Sequence, residues 1–136
     1  MMIIVDTCIW SQVFRKNSQA NSIVMKTLKE IIEAQQVLMV GPIRQEILSG
    51  VKDELQFQRL KRALSSFPDH PIITSDYEQT ARFFNLCRSY GIQGSNTDYL
   101  LCALSIRYEA QILTTDKDFS FFQKHLPIHC MILSAK

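Results

Sequence analysis

The sequence predicts an α/β fold, a three-layer α/β/α sandwich around a central parallel sheet. Three observations carry this expectation: short uninterrupted apolar runs that suit strands buried on both faces, a helical pattern after each run, and few of the turn dipeptides that mark hairpins. With 136 residues, 46% of them hydrophobic and 21% charged, the chain is long enough for one core and too apolar to be disordered. A single domain over residues 1–136 is expected, since no linker or internal repeat interrupts the alternation.

Ile3-Ile4-Val5 is the first buried run, and Val37-Leu38-Met39-Val40 and Ile112-Leu113-Thr114-Thr115 repeat the type. After Gly41, Pro42 suits a first helical position, and Ile43 and Ile47 place apolar groups one turn apart. Gly50 interrupts that helix, and Leu55, Leu60 and Leu64 mark a second one carrying the basic run Arg59-Leu60-Lys61-Arg62. Ser75-Asp76-Tyr77-Glu78 has the form of a capping box, with Tyr77, Ala81 and Phe84 continuing one stripe until Tyr90-Gly91 stops the helix. Residues 98–108 are apolar on nearly every side, which predicts a helix enclosed by the core, capped by Ser95, Asn96 or Thr97.

The longest apolar stretches fall far short of the roughly 20 residues needed to span a bilayer. The opening residues carry no basic region before Asp6, so neither a membrane span nor a secretory signal is expected, and a cytoplasmic location follows. Cys8, Cys87, Cys102 and Cys130 are far apart in the chain with no Cys-x-x-Cys spacing, which suits reduced, mostly buried thiols rather than zinc or redox chemistry. The net charge of +2 is too small to name a partner on its own.

The placement of the acids says more. Asp6 follows the first strand and Asp116 follows the last predicted one, and carboxyl ends of parallel strands are where ligands bind. Asp98 falls at the start of the apolar helix, where exposed amide groups favour negative charge. Glu46 lies about 60° around its helix from Ile43, at the edge of the stripe that faces the sheet. Each acid has a structural explanation taken alone, as a cap, a turn residue or a solvated side chain. Four of them at comparable edges of one sheet point to a shared site; Asp118 is a possible fifth.

Two carboxylates about 4 Å apart repel by roughly 4 kcal/mol at an effective dielectric near 20, so such a group calls for a cation. Oxygen-only ligands select Mg²⁺ or Mn²⁺, and such an ion activates water for attack on phosphorus, which points to phosphodiester hydrolysis. Setting the four acids aside leaves an excess of basic residues that suits a polyanion, with Arg15, Lys16, Lys26, Lys29, Arg44 and the 59–62 run as candidate phosphate contacts.

The opening Ile3-Ile4-Val5-Asp6-Thr7, then Gln45-Glu46-Ile47-Leu48-Ser49-Gly50, the helix start at Asp98 and Leu113-Thr114-Thr115-Asp116 together resemble the PIN-domain ribonucleases, most of all the VapC-type toxins of toxin–antitoxin pairs. The resemblance covers essentially the whole chain. It implies a PIN-like sandwich and Mg²⁺- or Mn²⁺-dependent RNA cleavage, with Asp6, Glu46, Asp98 and Asp116 as catalytic and metal-binding residues. It further implies that Thr7, Asn96 and Thr115 support those acids, that the protein is a homodimer, and that an antitoxin protein covers its active site. Trp10, Phe14, Leu55 and Phe57 are candidate groove or dimer contacts. Two alternatives stand beside this reading: a non-catalytic RNA- or protein-binding module on the same fold, and a phosphoryl-accepting receiver-like domain, which also gathers acids around Mg²⁺ at strand ends.

Overall fold

The computed structural model describes residues 1–14 and 22–134. Arg15 and Lys16, two of the candidate phosphate contacts, lie outside the described residues. The order of elements is β1 (Ile3–Val5), α1 (Thr7–Phe14), α2 (Ser22–Glu33), α3 (Gly41–Leu48), α4 (Glu54–Leu64), α5 (Thr74–Ser89), α6 (Asn96–Arg107), β2 (Gln111–Thr114), α7 (Asp118–Phe122) and β3 (Cys130–Ile132).

The three strands form one parallel sheet in the order β1-β2-β3, with Val5 opposite Leu113 and Leu113 opposite Met131. The expected strand at residues 37–40 is present only as isolated parallel bridges, Ile3 to Val37 and Met39 to Asp69. Backbone bonds from Ile3 to Gln36, Leu38 to Ile3 and His70 to Met39 still hold this segment along the free edge of β1. The sheet therefore continues past β1 as irregular extended chain. Because every strand runs the same way, their carboxyl ends lie together.

β1 and the last three residues of β2 are buried, as their unbroken apolar runs require. α6 is enclosed: seven consecutive residues, Tyr99 through Ser105, are buried, with Leu101, Cys102 and Leu104 inaccessible. Trp10 on α1 is 1% exposed, and its indole N–H donates to Val5 O at 3.1 Å, which supplies the partner that a buried indole needs. Among the described residues, no helix is long and apolar enough to cross a membrane. The four cysteines are free, Cys87 and Cys102 buried and the other two half-buried.

Two expectations need correction. α5 starts at Thr74 after Ile73, and its cap is Asp76, whose Oδ2 accepts from the Ile73 N–H at 2.9 Å; the Ser75 to Glu78 box does not form. Its buried stripe is Asp76, Thr80, Phe83 and Cys87, whereas Tyr77 is 57% exposed and Ala81 is exposed too. The helix is turned this way because Asp76 receives both Arg107 Nε at 2.7 Å and Arg107 Nη2 at 2.8 Å from α6. Arg44 is likewise not a free phosphate contact. Its guanidinium is held by Asp69 at 3.0 Å, by Leu64 O and by Phe67 O, tying α3 to the chain that leaves α4.

Candidate active site

Asp6 is one residue past β1 and level with Thr114, since its backbone N–H continues the ladder to Leu113 O at 2.9 Å. Its carboxylate is 8% exposed and its acceptor sites are taken up in order. Oδ1 accepts from the Thr7 N–H at 2.8 Å, and Oδ2 accepts from the Thr114 hydroxyl at 2.8 Å and the Cys8 thiol at 3.6 Å. Thr7 also reaches across to α3, where its hydroxyl donates to Glu46 Oε1 at 2.6 Å. One threonine thus links two of the predicted acids.

Thr114 does the same for a third. Its Oγ1 accepts the Asp116 N–H at 3.0 Å while donating to Asp6, so a single fully buried hydroxyl sets the spacing between the chains after β1 and β2. The sequence offered Thr115 as a support for the acids, and the structure places its hydroxyl elsewhere. Side chains alternate across a strand, so when residue 114 faces Asp6, residue 115 faces the other way. The Thr115 hydroxyl instead accepts from Gln12 Nε2 at 3.2 Å, and its N–H approaches Cys8 Sγ. Thr114 and Cys8 are the contributors that sequence reasoning missed.

Asp98 is the third residue of α6 and closes a reciprocal capping box. Its N–H donates to Ser95 Oγ at 3.0 Å, and its Oδ2 accepts from the Ser95 N–H at 3.2 Å. The contact to Asp98 comes from Ser95; Asn96 is exposed on the first turn. Asp118 is exposed as well. Its backbone N–H donates to Asp116 Oδ1 at 2.9 Å, which starts α7 and orients Asp116.

The electrostatics bind these acids into one environment. Burial pushes the Asp6 carboxyl above the usual carboxylate range; hydrogen bonds from Thr114, Thr7 and Cys8 partly offset this, and the charge of Glu46 adds to it. Burial also raises Asp98, Ser95 partly offsets it, and repulsion from Asp6 and Asp116 raises it further. The Cys8 thiol is pushed up by burial and by Asp6, which makes it a hydrogen-bonding group rather than a nucleophile. Among the described residues, none of the four acids forms a salt bridge, the ion pairs being Arg44–Asp69 and Arg107–Asp76 elsewhere. No three His, Cys, Asp or Glu side chains among the described residues are drawn close enough to enclose an ion as they stand. The acids interact through charge across one end of the sheet rather than as a closed cage. An all-oxygen set with no ion-pair partner among the described residues is the donor chemistry of a hard divalent ion rather than of zinc or copper.

The PIN domain family model matches residues 3–124. Over 121 residues the chain is 33% identical to the VapC ribonuclease Mb1587 of Mycobacterium bovis, covering 87% of this chain and 89% of that one. The fold is similar to that of FitAcB from Neisseria gonorrhoeae, with a TM-score of 0.77, 17% identity and 96% of both chains covered. It is also similar to VapBC2 from Rickettsia felis bound to a DNA fragment from its promoter, with a TM-score of 0.74, 15% identity, and 98% and 100% covered.

Proposed function

The chain belongs to the PIN-domain family, together with the VapC ribonucleases, and from that premise we propose that it is a Mg²⁺- or Mn²⁺-dependent endoribonuclease, the toxin of a toxin–antitoxin pair acting in the cytoplasm. The observation that carries the reading is a set of four acids at the carboxyl end of a parallel sheet, two of them raised by burial and mutual repulsion, with no basic side chain paired to any of them among the described residues. A site that holds negative charge against its own repulsion is built to be completed by a cation.

Asp6, Asp98 and Asp116 are the proposed ion ligands, with Glu46 sharing the ion or orienting the attacking water. When bound, the ion would lower the pKa of a water and stabilise the departing oxygen. The chain's own part is positional. Thr114 and Thr7 fix Asp6 relative to Asp116 and Glu46, and Ser95 fixes Asp98.

The partner reading rests on similar folds, one of which is a toxin–antitoxin complex. We propose a cognate antitoxin on that basis, and a homodimer as the family resemblance implies. Of the candidate contacts, Leu55 is exposed and Phe14 and Phe57 are half-buried, whereas Trp10 is buried in the core and offers no surface to a partner.

The test is incubation of the purified protein with single-stranded RNA. Cutting in Mg²⁺, abolished by chelator and by Asp98→Asn, is expected. Absence of cutting under Mg²⁺ or Mn²⁺ would favour the non-catalytic module, the reading that the open spacing of the carboxylates supports.

A further inference from the structure

Beyond the acids, on the side of α5 and α6, lies a cavity of about 300 Å³ lined by Phe84, Arg88, Ile92, Gln93, Gly94 and Tyr99. Two of its lining residues, Gly94 and Tyr99, flank the Ser95 to Asp98 capping box in the chain, which places the cavity beside the start of the helix that carries Asp98. We propose that this cavity receives one nucleobase of the RNA strand cut at the acidic site, with Gln93 reading the base edge and Arg88 holding the neighbouring phosphate. The proposal deepens the nuclease reading and rests on it.

Four observations carry it. The walls are flat and apolar: the Phe84 and Tyr99 rings meet edge to face at 5.6 Å, and Tyr99 packs on Phe122 at 4.9 Å. The rim is polar and exposed, Gln93 offering both a donor and an acceptor and Arg88 a positive charge. Tyr99 is 1% exposed, yet its hydroxyl is the buried side-chain polar atom that has no hydrogen-bond partner among the described residues. The Cys87 thiol lies near enough to interact weakly with it, outside good hydrogen-bond geometry, and leaves the hydroxyl short of a strong partner. A buried hydroxyl without a strong partner is unfavourable unless something completes it, and a base edge supplies both donors and acceptors.

Fourth, the pocket wall is rigid. A Cβ at Gly94 would stand 2.6 Å from Phe122 and 3.0 Å from Tyr99, so the backbone is pressed against both rings. At the lower end of the size range for ligand pockets, the cavity admits a single planar ring system and excludes a protein helix or a duplex. The adjoining surface continues in kind: Tyr90 stacks on His125 at 4.0 Å, and Lys124 lies over Phe121 at 5.3 Å. Aromatic faces interleaved with cations suit an unpaired strand.

Two measurements test this. The first sequences the ends produced from a random single-stranded RNA pool by wild type, Gln93→Ala and Arg88→Ala, whose exposed positions leave the fold intact. Wild type is expected to prefer one base at one position beside the cut. Gln93→Ala should flatten that preference about tenfold, and Arg88→Ala should weaken cutting of all sequences alike. An unchanged base preference in Gln93→Ala overturns the proposal.

The second titrates AMP, CMP, GMP and UMP into chelator-treated protein and follows the Tyr99 and Phe84 ring resonances. A shift with one nucleotide, lost in Gln93→Ala, supports the pocket even where no RNA is cut, in which case the nuclease reading alone fails. No shift with any nucleotide, or an equal shift with inorganic phosphate, overturns the base site even where RNA is cut.

Discussion

Thr114→Val isolates the device that holds the acids together. Valine keeps the branched shape of a buried strand residue and removes only the hydroxyl. That hydroxyl donates to Asp6 Oδ2 at 2.8 Å and accepts the Asp116 N–H at 3.0 Å. Loss of a hydrogen bond to a charged group costs about 1.5–3 kcal/mol, and an orphaned amide about 1–3 kcal/mol. Asp6 keeps Thr7 and Cys8, and Asp116 is only half-buried, so both losses fall toward the lower limits. The expected destabilisation is about 2.5–4 kcal/mol at neutral pH.

Urea titration of metal-free protein reads this as a lowered midpoint with unchanged slope, and at roughly 3–5 °C per kcal/mol the melting temperature should fall correspondingly. Thr114→Ser, which keeps the hydroxyl, should recover most of the loss. Thr115→Val removes the contact from Gln12 and a weak one to the Cys8 thiol, both half-buried, and should stay within about 1 kcal/mol of wild type. Affinity for Mn²⁺ should drop about 10–100-fold in Thr114→Val, the usual effect of losing a group that orients a ligand. Should Thr115→Val prove the more damaging of the two, the assignment of the organising hydroxyl is wrong.

Three further outcomes are expected. Because burial, with repulsion from Asp6 and Asp116, raises the Asp98 carboxyl, the folded state binds its proton more tightly than the unfolded chain, and this group lowers stability as pH rises above the usual carboxylate range. Asp98→Asn keeps an acceptor for Ser95, so at pH 7 the metal-free variant should melt at or above wild type and lose the upward shift that Mg²⁺ gives; calorimetry showing a lower metal-free melting temperature would contradict this. Asp76 behaves oppositely. Burial pushes its carboxyl up, but Arg107 and the Ile73 N–H outweigh this and hold it below its ordinary value, so its contribution is present above about pH 4 and disappears as pH falls through the folded value. Asp76→Asn should cost roughly 1.5–3 kcal/mol at pH 7, and the gap should narrow in titrations below pH 4. Gly94→Ala pushes a methyl into Phe122 and should cost about 1–3 kcal/mol by urea titration; an unchanged midpoint would contradict the close approach of the backbone to that ring.

What the sequence made legible follows from local chemistry. Unbroken apolar runs mark β1 and β2, and the first acid after each run is Asp6 or Asp116, so strand ends and site are read from the same signal. α6 is visible because it is apolar on every face, while its cap is legible only as Ser95, Asn96 or Thr97, and the structure selects Ser95. What was hidden depends on register or on distant partners. Whether Thr114 or Thr115 faces Asp6 is decided by the pairing of Val5 with Leu113, separated by more than a hundred residues. The buried face of α5 is decided by Arg107 on the next helix, and Arg44 is diverted from solvent by carbonyls of another segment. β3 is an unbroken apolar run like β1 but only partly buried, and what makes it a strand is its pairing with β2, which its own residues do not announce.

The capping box of α6 ties helix register to site geometry. Asp98 accepts from the Ser95 N–H with the same carboxylate that faces Asp6 and Asp116, so the helix cannot begin one residue earlier or later without moving the acid. The exposed amides of the helix start favour a negative charge there, while burial and the neighbouring acids disfavour it, and the raised carboxyl shows that the second pair of effects wins. The enclosure of α6, seven buried residues in succession, is what sustains that imbalance. A helix with one apolar stripe would relax by rotating its first turn into water, whereas this one would have to expose core on another face to do so. The acid is therefore kept in an unfavourable place by hydrophobic packing further along the same helix, and a bound cation would return the difference as ligand-dependent stability.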